Sequence, residues 1–451
     1  MTKRRQEITV GFISLGCPKN SVDSERMLAE IAQAGFTITA ETDNADVVVI
    51  NTCGFIAPAK AESLEAIRDA VDYKLSGAVK KVVVAGCLSQ RLGPELLDQI
   101  DGIDAVVGLN QRDNISEIIE KTFSSQPCAS PLCQAKAGPR SDRIPDDRAR
   151  LLITPGHWAY LRISEGCDRR CSFCTIPAIR GRFRSKPPEL VLAEAAELVS
   201  AGVVELNLIA QDTTYYGRDL QIKNGLSALV GEIDATAGLE WIRLMYVYPA
   251  GIDDRLIETI AGSERVVRYL DIPIQHVSDD ILKSMRRPDT DDGLRRLIDD
   301  LRRAMPDIVL RTTLMVGFPG ETDRQFAELL DFVRWAQFDA LGCFPFYPES
   351  GTAAADMPAQ VPDEVKQQRL DELMLTQQQI AFAKNQSRIG GKLTCLVDSV
   401  DNDGLCRGRF YGQAPDIDSL CIIENCSAQP GQFIDAKVVG SQDYDLLVEQ
   451  I

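Results

Sequence analysis

Residues 158–174, WAYLRISEGCDRRCSFC, place three cysteines on a short segment that directly follows an apolar stretch. The apolar stretch predicts a buried β-strand, and Cys167, Cys171 and Cys174 then share one tight loop in the pattern C-x3-C-x2-C. An iron–sulfur cube has four irons, so three cysteines leave one iron open to a ligand from outside the protein. A structural zinc ion would need a fourth protein ligand, and His157 lies at the far end of the strand. The motif favours an iron–sulfur cluster over zinc and over three unrelated cysteines.

An alternation of strands and helices continues from this motif to about residue 385. Polar helical stretches such as Glu189–Ala201 and Asp291–Met305 separate most of the apolar runs, and a long polar helix, Asp363–Arg388, leads out of the series. We therefore predict that residues 151–386 form a partial (β/α)6 barrel, with its site at the carboxyl ends of the strands. The six predicted strands are Trp158–Ile163, Glu205–Ile209, Trp241–Val247, Arg268–Ile274, Ile308–Val316 and Ala340–Phe346.

A looser repeat occupies the first 124 residues. Three apolar runs are each followed by a small or polar residue, a cysteine and a helical stretch, which predicts an α/β domain with a parallel sheet. The carboxyl ends of parallel strands share one edge of the sheet, so we expect the three cysteines to converge there. Each alone could be a buried small apolar residue. The runs are Ile8–Leu15, Asp46–Asn51 and Lys81–Ala85, and the cysteines are Cys17, Cys53 and Cys87.

The composition excludes several classes of protein. The 451 residues carry a formal net charge of −17, which rules out a surface basic enough to wrap nucleic acid. Thirteen cysteines are too few for a disulfide scaffold, and two histidines nearly exclude a multi-histidine metal site. The chain shows no apolar run of the length that a transmembrane helix needs, and Glu7 disfavours a signal peptide. We expect a cytoplasmic protein without membrane attachment, in a reducing compartment where thiols stay free for metal.

The last part of the chain changes character. Residues 125–150 are rich in proline, serine and charge and are predicted to be a linker. Residues 387–451 carry short apolar runs between turn signals, which predicts a small all-β barrel. This predicted barrel has five basic and ten acidic residues. A barrel that binds RNA should carry a basic face, whereas an acidic one attracts a basic protein.

The cysteine motif after the first strand of a partial barrel resembles the radical S-adenosylmethionine (SAM) enzymes. In that superfamily the open iron chelates the amino and carboxylate groups of SAM, and one electron from the cluster cleaves SAM to methionine and a 5′-deoxyadenosyl radical. The resemblance implies that Cys167, Cys171 and Cys174 hold this [4Fe–4S] cluster and are the catalytic residues.

The whole arrangement narrows the resemblance further. An N-terminal cysteine triad, a radical SAM barrel and a C-terminal barrel similar to the TRAM module together resemble the methylthiotransferases over nearly the full chain. This resemblance implies that Cys17, Cys53 and Cys87 hold a second [4Fe–4S] cluster, also with an open iron, which is associated with sulfur delivery. The implied cofactors are two [4Fe–4S] clusters and SAM.

Three segments are similar to the branch of that family that modifies an aspartate of small-subunit ribosomal protein twelve. They are residues 14–25 (SLGCPKNSVDSE), 51–56 (NTCGFI) and 159–167 (AYLRISEGC). The transfer-RNA branch typically has Met in place of Pro18-Lys19. The resemblance implies methylthiolation of the aspartate β-carbon, in the free protein or the small subunit, by a monomer with an external electron donor. A transfer-RNA adenosine methylthiotransferase is the alternative, and a non-catalytic iron–sulfur carrier is a third hypothesis.

Polar or glycine residues at three predicted strand ends are candidates for binding SAM. Superfamily members place such groups near the methionine moiety after strand two, near the ribose after strand four, and in a glycine loop after strand five. Hydrogen bonding within the fold, or a plain turn, is the alternative for each. The candidates are Gln211, Asp212, Gln275, His276, Gly317 and Gly320.

A run of positive charge follows the cysteine loop, at Arg180, Arg182, Arg184 and Lys186. Such runs usually form a solvated face. An arginine in this position could instead hold an acidic substrate side chain through two parallel hydrogen bonds.

Overall fold

A computed structural model describes residues 7–123, 131–135, 144 and 146–451. The chain forms two compact units. The N-terminal unit comprises the residues up to Ile153 together with 165–169 and 174–186, and the C-terminal unit comprises residues 154–164, 170–173 and 187–451. Within the described ranges, every helix is too short or too polar to cross a bilayer.

The N-terminal unit contains a six-stranded parallel sheet in the order β2-β1-β3-β4-β5-β6. Helices follow most of the strands, as expected for successive βα units. The elements are β1 (Thr9–Ser14), α1 (Pro18–Gln33), β2 (Thr37–Thr39), β3 (Val47–Thr52), α2 (Ala57–Leu75), β4 (Lys81–Gly86), α3 (Cys87–Leu92), α4 (Glu95–Gln99), β5 (Ala105–Val107), α5 (Ile115–Thr122) and β6 (Leu132–Cys133).

The central strands explain why this sheet forms. β3 is buried along its whole length, and β4 is buried from its second residue onward. Their side chains point alternately into two apolar clusters, so valines 48, 82 and 84 pack on one face and valines 47, 49 and 83 on the other. A strand buried on both faces is a continuous apolar run, which is the pattern that predicted these strands. β6 lies within the predicted linker 125–150, most of which falls outside the described residues.

Short elements flank the cysteine motif. Before it come β7 (Trp158–Arg162), the first strand of the next sheet, and β8 (Ser164–Glu165). After it come α6 (Ile176–Arg180) and β9 (Arg184–Ser185). The C-x3-C-x2-C motif occupies the chain between β8 and α6.

The C-terminal unit contains six parallel strands in the order β14-β13-β12-β11-β10-β7, so each strand pairs with its neighbour in the chain. This is the predicted partial barrel, and the predicted fold class is confirmed. The further elements are α7 (Pro188–Ser200), β10 (Glu205–Ile209), α8 (Gly225–Asp234), β11 (Trp241–Leu244), α9 (Asp254–Gly262), β12 (Val266–Gln275), α10 (Asp279–Ser284), α11 (Asp291–Ala304), β13 (Val309–Val316), α12 (Asp323–Ala336), β14 (Ala340–Pro345) and α13 (Asp363–Arg388).

Strand β11 is shorter than predicted. It ends at Leu244 instead of Val247. Tyr246 has a φ of 57°, which lies in the left-handed region and outside the extended region of strands. The apolar run therefore continues beyond the point where the backbone leaves the sheet.

A closed five-stranded barrel ends the C-terminal unit, with the strand order β15-β16-β17-β19-β18. The predicted all-β barrel is confirmed. Its strands are β15 (Lys392–Val400), β16 (Cys406–Phe410), β17 (Cys421–Glu424), β18 (Phe433–Gln442) and β19 (Asp445–Gln450).

Candidate functional site

The N-terminal sheet places its three cysteines at one edge. β1 pairs with β2 on one side and with β3 on the other, so the strand order reverses at this point. Ligands of open α/β sheets bind outside the carboxyl ends of the strands at such a switch point. Cys17 caps α1 after β1, Cys53 follows β3 directly, and Cys87 opens α3 after β4. The three cysteines therefore follow three adjacent strands.

Three glycines bring the cysteine loops close together. A Cβ atom on Gly16 would lie 2.9 Å from the Cβ of Cys53 and 3.3 Å from its sulfur. A Cβ on Gly54 would lie 2.8 Å from the backbone of Leu88, and one on Gly86 would lie 2.4 Å from Oδ1 of Asn51. Because no side chain fits at these positions, the loops approach by backbone, and the neighbouring cysteines are drawn toward one another.

Side-chain amides hold these loops in place. Asn20 donates from Nδ2 to the carbonyl oxygens of Leu15, at 2.6 Å, and Thr52, at 3.2 Å. Asn51 donates to the carbonyl of Asn20 at 2.9 Å and to Oγ of Ser24 at 2.8 Å. Both asparagines are buried. They lie within the motifs that identified the branch, but the sequence did not reveal that they fasten one cysteine loop to the next.

Arg180, the last residue of α6, is buried against the same site. Its Nη2 atom lies 3.3 Å from Sγ of Cys87, 3.3 Å from Oδ1 of Asn20 and 3.1 Å from Oδ2 of Asp23. Its Nη1 atom lies 3.0 Å from Oε1 of Glu165. The interpretation as a solvated face is wrong for Arg180, because its side chain is buried and two buried carboxylates hold it.

Two other residues of that charge run, Lys186 and Arg182, also differ in burial. Lys186 is fully buried and pairs with the equally buried Asp147 at 2.7 Å. The side chain of Arg182 is 89% exposed and pairs with Asp168 at 3.2 Å, as a solvated face predicts. The sequence pattern did not separate these residues, because burial depends on which loop covers each one.

Burial disfavours the charged form of two of the cysteine thiols. Burial raises the pKa of Cys87 to about 12, and the neighbouring thiols add to this while Arg180 opposes it. Burial likewise raises the pKa of Cys53. A metal stabilises the thiolate and releases the proton. These cysteines therefore become thiolates when a cationic centre binds them.

The donor set fits an iron–sulfur cluster. In the described part of the chain, no three His, Cys, Asp or Glu side chains surround a point that one metal ion could occupy. A cluster is a different case, because each of its thiolates binds a separate iron. Three cysteines, with Arg180 beside one of them, supply sulfur ligands and a hydrogen-bond donor to sulfur, and both are common features of protein-bound clusters.

The second cysteine motif also has donors at its sulfurs. The amide of Arg169 lies 3.4 Å from Sγ of Cys167, and the amide of Ile176 lies 3.5 Å from Sγ of Cys174. Amide hydrogen bonds favour the charged form of an acceptor. Cys171, between them in the chain, is half-buried. These contacts suit thiolates that bind a cluster.

In the C-terminal unit, His276 follows the end of β12. Its Nδ1 accepts a hydrogen bond from the amide of Ser278 at 3.0 Å, so Nε2 carries the proton. Nε2 has no hydrogen-bond partner among the residues that the structure describes, and Oε2 of Glu321 lies 3.7 Å away. Burial, with a smaller effect of Arg369, lowers the pKa of His276 to about 3. His276 is therefore a neutral, buried donor.

The other strand-end candidates differ in their hydrogen bonding. Gln275 has a φ of 74°, and its Oε1 has no partner within the described ranges. Asp212 is buried and accepts a hydrogen bond from Thr214 at 2.6 Å, and it follows Gln211 beyond the end of β10. β10 and β12 are separated by one strand of the sheet. The candidates thus lie at the same edge.

Packing explains one of the two glycines in the loop after β13. Gly317 has a φ of +70°, and a Cβ there would lie 2.2 Å from Cγ of Lys366. Its amide donates to Oε2 of Glu321 at 2.6 Å. Gly320 has a φ of +83° with no atom within 4 Å of its would-be Cβ. Packing therefore requires Gly317, whereas Gly320 faces open space.

The acidic C-terminal barrel uses several of its carboxylates internally. Asp398 accepts two hydrogen bonds from Arg409 and lies 2.9 Å from Nε2 of His157. Asp418 pairs with Arg311 at 3.2 Å, and Asp416 accepts from the hydroxyl of Tyr160 at 3.2 Å. The charge count had attributed all of these carboxylates to attraction of a partner. For Asp398 and Asp418 this is wrong, because ion pairs with Arg409, His157 and Arg311 already hold them. Asp416 is exposed as well as bound to Tyr160.

Comparison with known proteins agrees with this architecture. The model of the radical SAM superfamily matches residues 161–333, that of uncharacterized protein family UPF0004 matches residues 9–108, and that of the TRAM domain matches residues 389–451. Among solved structures, the radical SAM methyltransferase TsrM from Kitasatospora setae superposes with a TM-score of 0.55. It is 16% identical and covers 74% of this chain and 72% of its own. This likeness supports the fold alone.

Curated relatives are much more similar in sequence. The ribosomal protein uS12 methylthiotransferase RimO of Acetivibrio thermocellus is 45% identical over 449 residues, and the match covers 98% of each chain. The protein of the same name from Geobacter sulfurreducens is also 45% identical, again with 98% of each chain covered. Since relatives of this identity match nearly the full length, the chain belongs to the radical SAM methylthiotransferase family.

Proposed function

We propose that this protein adds a methylthio group to the β-carbon of an aspartate of ribosomal protein uS12. The full-length similarity to enzymes named for that activity carries the proposal. The gathering of Cys17, Cys53 and Cys87 at one sheet edge supports it, because the reaction needs a sulfur source in addition to a radical source.

The six cysteines divide between two [4Fe–4S] clusters. Cys167, Cys171 and Cys174 would hold one, and the N-terminal triad would hold the other, which we call the auxiliary cluster. When bound, the clusters and SAM supply a radical that removes hydrogen from an unactivated carbon, and a methylated sulfur to replace it. The chain's own contribution is to donate hydrogen bonds to the thiolates and to exclude water from the buried Cys87.

Residues at the strand ends of the C-terminal unit would bind SAM. The Nε2–H of His276 and the Oε1 of Gln275 are buried polar atoms without partners among the described residues, and such atoms generally have a partner when the protein is complete. Gly320 leaves open space at the adjacent strand end. Gln211 and Asp212 follow β10, which lies two strands from β12, and they are at the same edge of the sheet. We assign Gly317 mainly to packing against Lys366.

The substrate would meet the C-terminal barrel through its exposed acidic residues. Asp403, Glu424, Asp435 and Asp443 are exposed, and we call them the exposed carboxylates. Ribosomal proteins are typically basic, and complementary charge steers such partners together. A transfer RNA would be repelled by the same charges, which disfavours the alternative function.

Each domain of the chain then has a proposed role. We assign the auxiliary cluster to residues 1–124, the SAM chemistry to 151–386 and substrate recognition to 387–451, with 125–150 as the connection. The enzyme would act in the cytoplasm as a monomer, with an external electron donor, on uS12 either free or in the small subunit.

Mass spectrometry of a deletion strain tests the function. Loss of the methylthio mass from uS12, restored by the parent gene but not by Cys167→Ala or Cys87→Ala, is the expected result. Bulk transfer RNA from the same strains serves as the comparison. Unmodified uS12 in all strains, with methylthioadenosine lost from transfer RNA on deletion, would establish the alternative instead.

A further inference from the structure

Arg180 makes four contacts that together point beyond a structural ion pair. Within the N-terminal unit its guanidinium reaches Asp23, Glu165, Asn20 and the sulfur of Cys87, all at 3.0–3.3 Å. Its side chain is 1% exposed. A buried arginine needs partners for its charge and its N–H groups, and the two carboxylates already supply the charge. The contact with sulfur therefore needs a separate explanation.

Carboxylates hold Arg180 independently of the cysteine. Asp23, which also binds Arg112 at 2.6 Å, lies 3.1 Å from Nη2, and Glu165 lies 3.0 Å from Nη1. These ion pairs account for the burial of the guanidinium but not for its approach to the sulfur of Cys87. A neutral thiol is a weak acceptor, but a thiolate turns the same 3.3 Å contact into a charge-assisted hydrogen bond.

We propose that Arg180 is a positioning residue of the auxiliary cluster, which donates a hydrogen bond to the Cys87 ligand and raises the cluster's reduction potential. The proposal rests on the proposed function only in that it requires a cluster at Cys17, Cys53 and Cys87. Reduction adds negative charge, and a nearby cation and an N–H···S bond stabilise the reduced form more than the oxidised one. Hydrogen bonds to sulfur and net local charge are established determinants of cluster potential.

The position of Arg180 in the chain extends this role. It lies six residues after Cys174, at the other end of α6. Thr175, next to Cys174, donates from Oγ1 to the carbonyl oxygen of Phe55 at 3.4 Å, two residues after Cys53. One short segment therefore carries a predicted ligand of the radical SAM cluster at its start and a donor to the auxiliary cluster at its end.

A redox titration of the auxiliary cluster tests the proposal. The full chain with Cys167, Cys171 and Cys174 changed to Ala is reconstituted anaerobically, so that only the auxiliary cluster contributes, and its midpoint potential is followed by electron paramagnetic resonance. Arg180→Gln and Arg180→Lys are compared with Arg182→Gln, a matched control at an arginine that is 89% exposed. Asp23→Asn removes a counter-charge while leaving Arg180 in place.

We expect the potential to fall in Arg180→Gln and to fall less in Arg180→Lys, which keeps the charge but loses the planar fork. It should rise in Asp23→Asn and stay unchanged in Arg182→Gln. Opposite shifts at two partners of one ion pair are not expected from a purely structural role. Potentials equal to that of the parent in both Arg180 variants would overturn the proposal.

If the Arg180 variants do not retain the cluster, the Asp23→Asn variant decides, and an unchanged potential there also overturns the proposal. Iron content of the parent separates this from failure of the proposed function. A parent that holds no auxiliary iron refutes the cluster itself, and with it this inference. A parent that holds it but does not modify uS12 refutes only the substrate.

Discussion

Arg409 of the C-terminal barrel and Glu205, the first residue of β10, form an ion pair of 2.7 Å. Glu205 also accepts from Arg243 at 2.9 Å, and both Glu205 and Arg243 are inaccessible to solvent. Since both charges of the pair are buried, neither can lose its partner cheaply. The small barrel is thus fastened to the parallel sheet by charge as well as by apolar contact.

Removing one partner of this pair should destabilise the protein. Arg409→Ala removes one partner from each of Glu205 and Asp398, which keep Arg243 and His157, so the loss should approach but not exceed the cost of breaking an isolated buried pair, about 3–5 kcal/mol. The control is Arg407→Ala on the same strand, whose ion pair with Asp401 is partly exposed and should be worth at most about 1 kcal/mol. Chemical denaturation gives both values. Equal losses for the two variants would show that the buried pair has no special weight.

The exposed carboxylates of the barrel should govern association with uS12. Changing Asp403, Glu424, Asp435 and Asp443 to their amides should slow binding without lowering stability, because exposed charges act mainly on the association rate. Binding by the parent should weaken with salt, since the Debye length falls from about 10 Å at 0.1 M to about 3 Å at 1 M. Stopped-flow association measures this. Unchanged rates at low salt would show that the exposed carboxylates are solvated surface only.

A change at two internal carboxylates should behave differently. Asp398 pairs with Arg409 and His157, and Asp418 pairs with Arg311, so their amides should lower the free energy of unfolding.

Iron content should follow the two cysteine sets. The reconstituted parent should hold about eight irons, the number for two [4Fe–4S] clusters. Changing Cys167, Cys171 and Cys174 to Ala should leave about four and abolish SAM cleavage. Changing Cys17, Cys53 and Cys87 to Ala should also leave about four but retain SAM cleavage while methylthiolation is lost. Full iron loading after either change would contradict the two-site assignment.

Gly86→Ala should remove the auxiliary cluster alone. The new Cβ would lie 2.4 Å from Oδ1 of Asn51, 2.5 Å from the carbonyl oxygen of Thr52 and next to Cys87. Gly77→Ala is the control, because Gly77 has a similar φ of +86° but open space around its would-be Cβ. Iron analysis should give about four irons for the first variant and about eight for the second. Equal loading would show that the close approach at Gly86 does not shape the site.

The burial of His276 predicts how stability depends on pH. The pKa of His276 is about 3 in the folded chain and 6.5 as the ordinary value, so the unfolded chain binds more protons between these limits. Its contribution is fully present above pH 6.5 and is lost progressively as pH falls toward 3. At pH 5 the loss should be about 2 kcal/mol.

The variant His276→Gln isolates that effect. Other titrating groups are common to both chains, so the difference between parent and variant in free energy of unfolding should shrink or reverse as pH falls from 7 to 5. Urea denaturation at the two values measures it, and a difference independent of pH would refute the assignment of a neutral buried histidine.

The architecture could be predicted because most of its strands are apolar runs that end at small or polar residues. The three cysteines after β1, β3 and β4 were expected at one edge because parallel strands share their direction. The family resemblance was confirmed by relatives of 45% identity. β2 and β6 escaped prediction because two or three residues carry no periodicity.

The features of the site that the sequence did not predict depend on tertiary contacts. Arg180 and Arg182 lie two residues apart in one basic run, and the sequence does not show that only Arg180 is covered. In the same way, a charge count does not distinguish Asp398, which binds Arg409, from the exposed Asp403. Local pattern gives charge, but burial is decided by residues far away in the chain.

The short helix α6 should limit how homologous sequences can differ in length between Cys174 and Arg180. Arg180 reaches Cys87 from the last position of this helix, and each residue of an α-helix turns the next by about 100°. One residue inserted or deleted between Cys174 and Arg180 would therefore swing the guanidinium away from the sulfur. Homologous chains that keep both cysteine sets should tolerate many substitutions in this stretch but no change in its length.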